Sequence, residues 1–204
     1  MPQHADKHAN KLNSPIPAKL LTDNTNLFDD LPDGDILDLA CGSGRNGLYV
    51  AKLDKELTPS DSKARKVIMA DRNVELLRSI EAIITDHHLN AQTWQTDFEL
   101  PERSPLAGKS FAAILVFSYL HRPLFQSIKD AIIPGGLVFY ETFTTDQPKY
   151  GRPTNPDFLL QPEELKAWFE GWEILTYDEG VLDSNNPSAI ARMICRKPLN
   201  QTSA

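Results

Sequence analysis

The chain has 204 residues and a net charge of −7, from 21 basic and 28 acidic side chains. That length suits a single domain large enough to cover a sheet on both faces. The acidic balance argues against a polyanionic nucleic-acid partner, which needs a basic face to release counterions, and no run approaches the ~18 apolar residues of a membrane span.

Met1 to Ser14 is polar, lacks the apolar core of a secretion signal, and reads as part of a flexible tail over residues 1–15. Cys41 and Cys195 sit in apolar text without metal-ligand spacing, as expected of reduced thiols in a cytoplasmic protein. Ile16 to Phe28 predicts a short leading helix, ended by the turn Leu31-Pro32-Asp33-Gly34. A first strand over Asp35 to Ala40 is followed by a helix from about Arg45 to Leu53. Beyond the polar loop Thr58-Pro59-Ser60-Asp61-Ser62 comes a second strand, Lys66 to Ala70, closing on Asp71. Asn73 is placed to cap a helix carrying Val74, Leu77, Ile80, Ile83 and Ile84 at helical spacing. Ala91 to Gln95 reads as strand three, closing on Asp97. The almost wholly apolar Phe111 to Phe117 reads as a central strand buried on both faces.

A helix over Leu124 to Ile132 is expected to stop at Pro134-Gly135-Gly136, before a fifth strand from Leu137 to Phe143. Thr144 to Gln161, with Pro148, Pro153 and Pro156, predicts a long ordered loop. Gln161-Pro162-Glu163-Glu164 opens the last helix. Trp172 to Tyr177 and Ala189 to Arg196 have no helix between them, only Asp183-Ser184-Asn185-Asn186-Pro187, so they predict an antiparallel hairpin at the sheet edge. The expected fold class is α/β: a Rossmann-like, doubly wound, seven-stranded sheet, mostly parallel with an antiparallel C-terminal hairpin. One domain spans residues 16–198, with a C-terminal tail over 199–204.

Between the first strand and its helix, Gly42, Gly44 and Gly47 form G-x-G-x-x-G, a pattern that by itself points to a dinucleotide. Asp38 opposes that default. A pyrophosphate belongs at a helix N-terminus, where amide dipoles help and a carboxylate does not. A ligand carrying an ammonium and a sulfonium would welcome the charge; alternatively, Asp38 is a buried acid that bonds the glycine-loop amides. The terminal hairpin is a second argument against a nicotinamide-binding domain, which usually continues with further βα units.

At Asp38-Leu39-Ala40-Cys41-Gly42-Ser43-Gly44 the chain resembles class I S-adenosylmethionine-dependent methyltransferases, whose first motif reads acidic-x-[GA]-[CT]-G-x-G. The resemblance covers about Ser14 to Pro198. With Gly42-x-Gly44-Arg45-Asn46 it lies nearest the small-molecule enzymes of the tellurite-resistance and thiopurine methyltransferase type. There is no Asn-Pro-Pro-Tyr-like motif after strand four and no Pro-Cys motif, which lowers readings that involve a macromolecular acceptor. The resemblance implies S-adenosyl-L-methionine as cofactor, held by Asp38, Ala40, Gly42, Ser43, Gly44, Asp71, Arg72, Asp97, Phe98 and Ser118. Within that set, Asp71 is expected on the ribose hydroxyls, and Asp97 and Phe98 at the adenine. It implies in-line methyl transfer to a small-molecule acceptor, with no metal, nucleic-acid or membrane partner; the acceptor and the oligomeric state stay open.

In open α/β sheets, ligands sit beyond the carboxyl ends of the strands. Tyr119, His121 and Arg122, after strand four, and Glu141, near the end of strand five, are therefore the candidates to face the acceptor. His121 has the side chain suited to a general base, or else is a surface histidine. Arg122 either grips an anionic acceptor or caps a loop through backbone carbonyls. Gly151 to Phe158 is a candidate lid. The alternatives to methyl transfer are an NAD(P)-dependent oxidoreductase and a non-catalytic cofactor-fold binding protein.

Overall fold

A computed structural model describes residues 16–57, 65–100, 104–182 and 187–199. The expected tails, the loop Thr58 to Ser62 and most of the hairpin turn lie outside the described residues, except Pro187 and Leu199. Apolar runs with branched side chains become β1 (Ile36–Leu39), β2 (Val67–Asp71), β3 (Ala91–Gln95), β4 (Phe111–Phe117), β5 (Ile132–Phe143), β6 (Glu173–Leu182) and β7 (Ser188–Arg196). They build one sheet in the order β3-β2-β1-β4-β5-β7-β6. β1 to β5 are parallel, whereas β7 runs antiparallel to both neighbours. Chain order reverses between β1 and β4, which opens a crevice at their carboxyl ends.

Side chains alternate across the central strands, so both faces of the sheet are apolar. One face packs on α1 (Lys19–Thr22), α2 (Arg45–Leu57) and α3 (Val74–Asp86), through Leu21, Leu48, Leu77 and Ile80. The other packs on α4 (Phe125–Ala131) and α5 (Glu164–Trp168), where Phe125 stacks between Tyr140 and Trp168. Asn73 caps α3 as predicted, its side chain accepting from the amides of Glu75 and Leu76 at 3.0 and 3.3 Å. None of the described helices is long and apolar enough to cross a membrane.

Three local differences have physical causes. The leading helix is shorter than its apolar pattern: α1 ends at Thr22 and a 3-10 turn covers Thr25–Phe28. There the Asn24 side chain donates to the Leu20 carbonyl, competing with helical bonding. Pro134-Gly135-Gly136 does not precede β5 but lies within it, as an irregularity where the pairing register with β4 jumps. A Cβ at Gly136 would stand 2.6 Å from the Ala112 carbonyl oxygen, so only glycine permits that approach. The hairpin strands are longer than their apolar text, and β7 lies inside β6, leaving β6 as the edge.

The loop from Thr144 to Gln161 is ordered without an apolar core of its own. Thr144 and Leu160 form a parallel bridge across its base. Within it, the buried Gln147 side chain accepts from the Ala189 amide at 2.8 Å and donates to the Arg152 carbonyl at 3.0 Å. This amide joins the loop to β7. Gln147→Leu leaves both backbone groups without that partner, a cost of about 1–3 kcal/mol. Urea denaturation should show that loss, with faster hydrogen exchange at the Ala189 amide.

Candidate active site

The glycine loop is built by two carboxylates. Asp71, at the end of β2, accepts from the Gly42 amide through Oδ2 and from the Asn73 amide through Oδ1, each at 2.8 Å. Asp38 lies on the face of β1 covered by α2 and accepts from the Gly47 amide at 2.8 Å. Only 2% of Asp38 is exposed, and this burial pushes its carboxyl up to about 7. The Gly47 bond and the charge of Arg45 oppose the shift, and Asp71 adds to it.

The three glycines answer to different constraints. A Cβ at Gly47 would lie 2.5 Å from Met69 Cγ and 2.8 Å from Asp38 Oδ2, while one at Gly44 would lie 2.7 Å from Ile80 Cδ1. Those two positions serve packing of the loop on β2 and α3. At Gly42 a Cβ would meet nothing within 4 Å, and the positive φ of 56° is what favours glycine there. Ser43 is exposed on the crest of the loop. Ala40 and Ser118, after the adjacent strands β1 and β4, also adopt left-handed backbone, with φ of 52° and 54°. Such conformations are sparsely populated by non-glycine residues and cluster at functional sites.

Two concavities flank this point. The first is a narrow cleft of about 90 Å³ lined by Ala40, Asp71, Arg72, Asp97, Phe98 and Tyr119, together with Thr96 and Glu99, which sequence reasoning missed. Asp97 accepts from the Glu99 amide at 2.9 Å, and Arg72 pairs with Glu99 at 3.6 Å. The Tyr119 carbonyl is fixed by the Tyr140 hydroxyl at 3.1 Å, but the Tyr119 hydroxyl is itself buried with no hydrogen-bond partner. Burial, then the charges of Glu99 and Asp97 and the approach of the hydroxyl to the Glu99 carboxylate, push it further from ionisation, against the charge of Arg72. The structure therefore brings Tyr119 to the predicted cofactor residues, away from the acceptor rim.

The second concavity is wider, about 540 Å³, and lies between the carboxyl ends of β4 and β5 and the loop that follows β5. Ser118, Leu120, Thr142, Phe143, Arg152 and Phe158 contribute to its walls. Thr142 and Phe143 were not among the predicted site residues, although the strand-end rule that selected Glu141 applies equally to them; Arg152 belongs to the candidate lid. The stretch from Arg152 to Asn155 and Phe158 belongs to this wall, so much of the candidate lid borders the cavity.

The other predicted rim residues do not converge there. His121 borders a separate depression of about 300 Å³ with Phe98, Ser104, Pro105 and Ser127. Glu141 alternates with Tyr140 and Thr142 along β5; burial pushes its carboxyl up, and the charges of Arg192 and Arg45 oppose that. Arg122 is a clamp. Its Nε and Nη2 bond the two Glu164 carboxylate oxygens at 2.7 and 2.8 Å, and it also donates to the carbonyls of Asp157 and Leu159 at 3.0 and 2.8 Å. Glu164 is held in turn by the amide of Gln161 and the indole of Trp168.

The family described as Tellurite resistance protein TehB matches residues 22–189. A probable S-adenosyl-L-methionine-dependent methyltransferase TehB from Haemophilus influenzae is 25% identical over 152 residues, covering 72% of this chain and 48% of the relative. The chain thus spans about half the length of the curated relatives it matches. The crystal structure of TehB from Haemophilus influenzae superposes with a TM-score of 0.64 at 22% identity, covering 85% of this chain and 62% of that one. Coclaurine N-methyltransferase, bound to N-methylheliamine and S-adenosylhomocysteine, superposes at 0.62 with 14% identity, over 87% of this chain and 71% of that one. The [4+2]-cyclase SpnF superposes at 0.60 with 15% identity, over 86% and 80%. These structural likenesses establish the fold; the chemistry has to be argued from the site.

Arg122→Lys keeps the charge but loses the planar fork. We expect it to destabilise the protein by about 1–3 kcal/mol, the range for hydrogen bonds to charged groups. The Leu159 and Leu160 amides should exchange faster by hydrogen-exchange mass spectrometry.

Proposed function

The chain belongs to the Tellurite resistance protein TehB family, and from that premise we propose that it transfers the methyl group of S-adenosylmethionine to a small-molecule acceptor. The observation that carries this reading is the cleft at the carboxyl ends of β1 to β3. It combines acidic acceptors at Asp71 and Asp97, the apolar Phe98, an unpartnered Tyr119 hydroxyl and open space at Gly42. A nucleoside fits this donor and acceptor set, and at about 90 Å³ the cleft seats its edge rather than enclosing it.

Asp71 retains lone pairs beyond the two given to backbone amides and would take the ribose hydroxyls. Asp97 would take the adenine amino group, with Phe98 against the ring. Tyr119 would give its free O–H to the nucleoside. Asp38 acts through its field, favouring the cationic end of the ligand. When bound, S-adenosylmethionine supplies a methyl group on a sulfonium, which an acceptor heteroatom takes in line. The wider cavity would hold that acceptor beside Ser118, and the wall from Arg152 to Asn155 would keep water away, so that proximity and orientation do most of the work. His121 is given no role as base, because it lines a different depression. Two free cysteines support a reducing, cytoplasmic setting.

Isothermal titration should detect S-adenosylhomocysteine at micromolar affinity or tighter, about −8 kcal/mol or better. No binding, or preferential binding of NAD, would overturn the reading. Tyr119→Phe separates ligand recognition from folding. Removing an unpartnered hydroxyl should leave stability unchanged or slightly raised, while S-adenosylhomocysteine affinity drops by about 0.5–1.5 kcal/mol.

Asp38 gives a pH signature. Its carboxyl titrates near 7 in the folded protein and near ~3.9 when unfolded, so between those values only the folded state holds the proton. Its contribution to stability therefore falls as pH rises from about 4 to 7 and levels off above. Asp38→Asn should remove that dependence and make the empty protein more stable at pH 8. The same change should weaken S-adenosylmethionine binding about tenfold, through loss of the charge. Denaturation from pH 5 to 8, paired with calorimetry, measures both effects.

A further inference from the structure

The cavity beside the cleft has a chemical character that narrows the acceptor, given the methyl-transfer reading on which this step rests. Its walls carry one cation, Arg152, and no acid, in a chain whose net charge is −7. The neighbouring cleft holds Asp71, Asp97 and Glu99 against the single cation Arg72, so the two compartments differ in the sign of their net charge. Leu120, Phe143, Pro153 and Phe158 make much of the remaining wall apolar. Phe158 is 49% exposed, so its ring is accessible to a ligand in this cavity.

Arg152 is also uncommitted. Arg122 and Arg192 are each forked onto a carboxylate, whereas Arg152 makes no ion pair among the described residues. Its backbone is held by the buried Gln147 amide, which donates to the Arg152 carbonyl at 3.0 Å. The guanidinium thus hangs from a fixed point beside a cavity whose other walls combine those apolar side chains with the uncharged polar Ser118, Thr142, Thr154 and Asn155. Volume supplies the second constraint. At about 540 Å³ the space lies within the ~300–1,000 Å³ range of pockets that enclose organic ligands, and an inorganic oxyanion would leave most of it to water.

We infer that the acceptor is an organic anion with an apolar or aromatic body, its carboxylate or comparable acid paired with Arg152 and its body against Phe143 and Phe158. An arginine fork matches carboxylate geometry with two parallel hydrogen bonds, which fixes orientation as well as affinity. The acid is the handle; a different heteroatom of the same molecule takes the methyl group and releases its proton to solvent. The electron pair of the broken S–CH₃ bond stays on sulfur, which becomes a thioether.

The test is direct binding to the full chain, saturated with S-adenosylhomocysteine, by calorimetry. The probes are 2-naphthoate, its neutral isostere 2-naphthamide, and potassium tellurite. We expect 2-naphthoate to bind about tenfold tighter than the amide. Arg152→Gln, at an exposed position, should reduce that preference to within about twofold without changing amide binding. Phe158→Ala should weaken both aromatic probes. Absence of a naphthoate preference, its survival in Arg152→Gln, or binding of tellurite alone would each overturn the inference while leaving the methyl-transfer reading intact. Failure of S-adenosylhomocysteine to bind, with the Arg152-dependent preference preserved, would do the reverse.

Discussion

A carboxylate buried between β1 and α2 is the constraint on which the site depends. Burying Asp38 is costly, and the structure offsets it with one short bond from the Gly47 amide. That bond requires α2 to begin within reach of the strand, and so forbids any side chain at Gly47. Asp71 imposes the matching restraint from β2 by holding the Gly42 amide. Between these two carboxylates the loop has little freedom. Its left-handed residues, Ala40, Gly42 and Gly44, follow from the need to turn from strand to helix in so few steps.

From this loop the two concavities diverge. The reversal of strand order between β1 and β4 places a narrow, largely acidic cleft on one side and a wider space with one cation and no acid on the other. Ser118 stands at the division, with its amide bonded to the Glu141 carbonyl and its own backbone left-handed. On the proposed reading, the two ligands differ in charge and would meet at this boundary.

The wall of the second compartment owes its order to polar contacts as well as to the buried Leu159 and Leu160. Gln147 and the Arg122–Glu164 pair hold a loop that passes over the carboxyl end of β5. Both are partly or wholly withdrawn from solvent, where hydrogen bonds to charged or buried groups count for more than on the surface. The side chains of Arg152 and Phe158, presented to the cavity, take no part in those bonds.

Periodicity and turn chemistry determined the frame. Apolar runs and capping signals located every strand and the Asn73 cap. The glycine run marked the loop, and two strands without an intervening helix announced the antiparallel end. These are local properties, written within a few residues of where they act. Asp71, Asp97 and Phe98 were legible because strand ends in such sheets always meet the crevice. What only the tertiary structure decided was direction beyond those ends. The left-handed Ser118 and the 3-10 turn after it send Tyr119 to the cleft and His121 to another depression. Arg122 found its partner 42 residues away in Glu164. No periodicity encodes a backbone torsion at a single residue, nor a contact closed only when two distant elements pack; both are set by the folded chain as a whole.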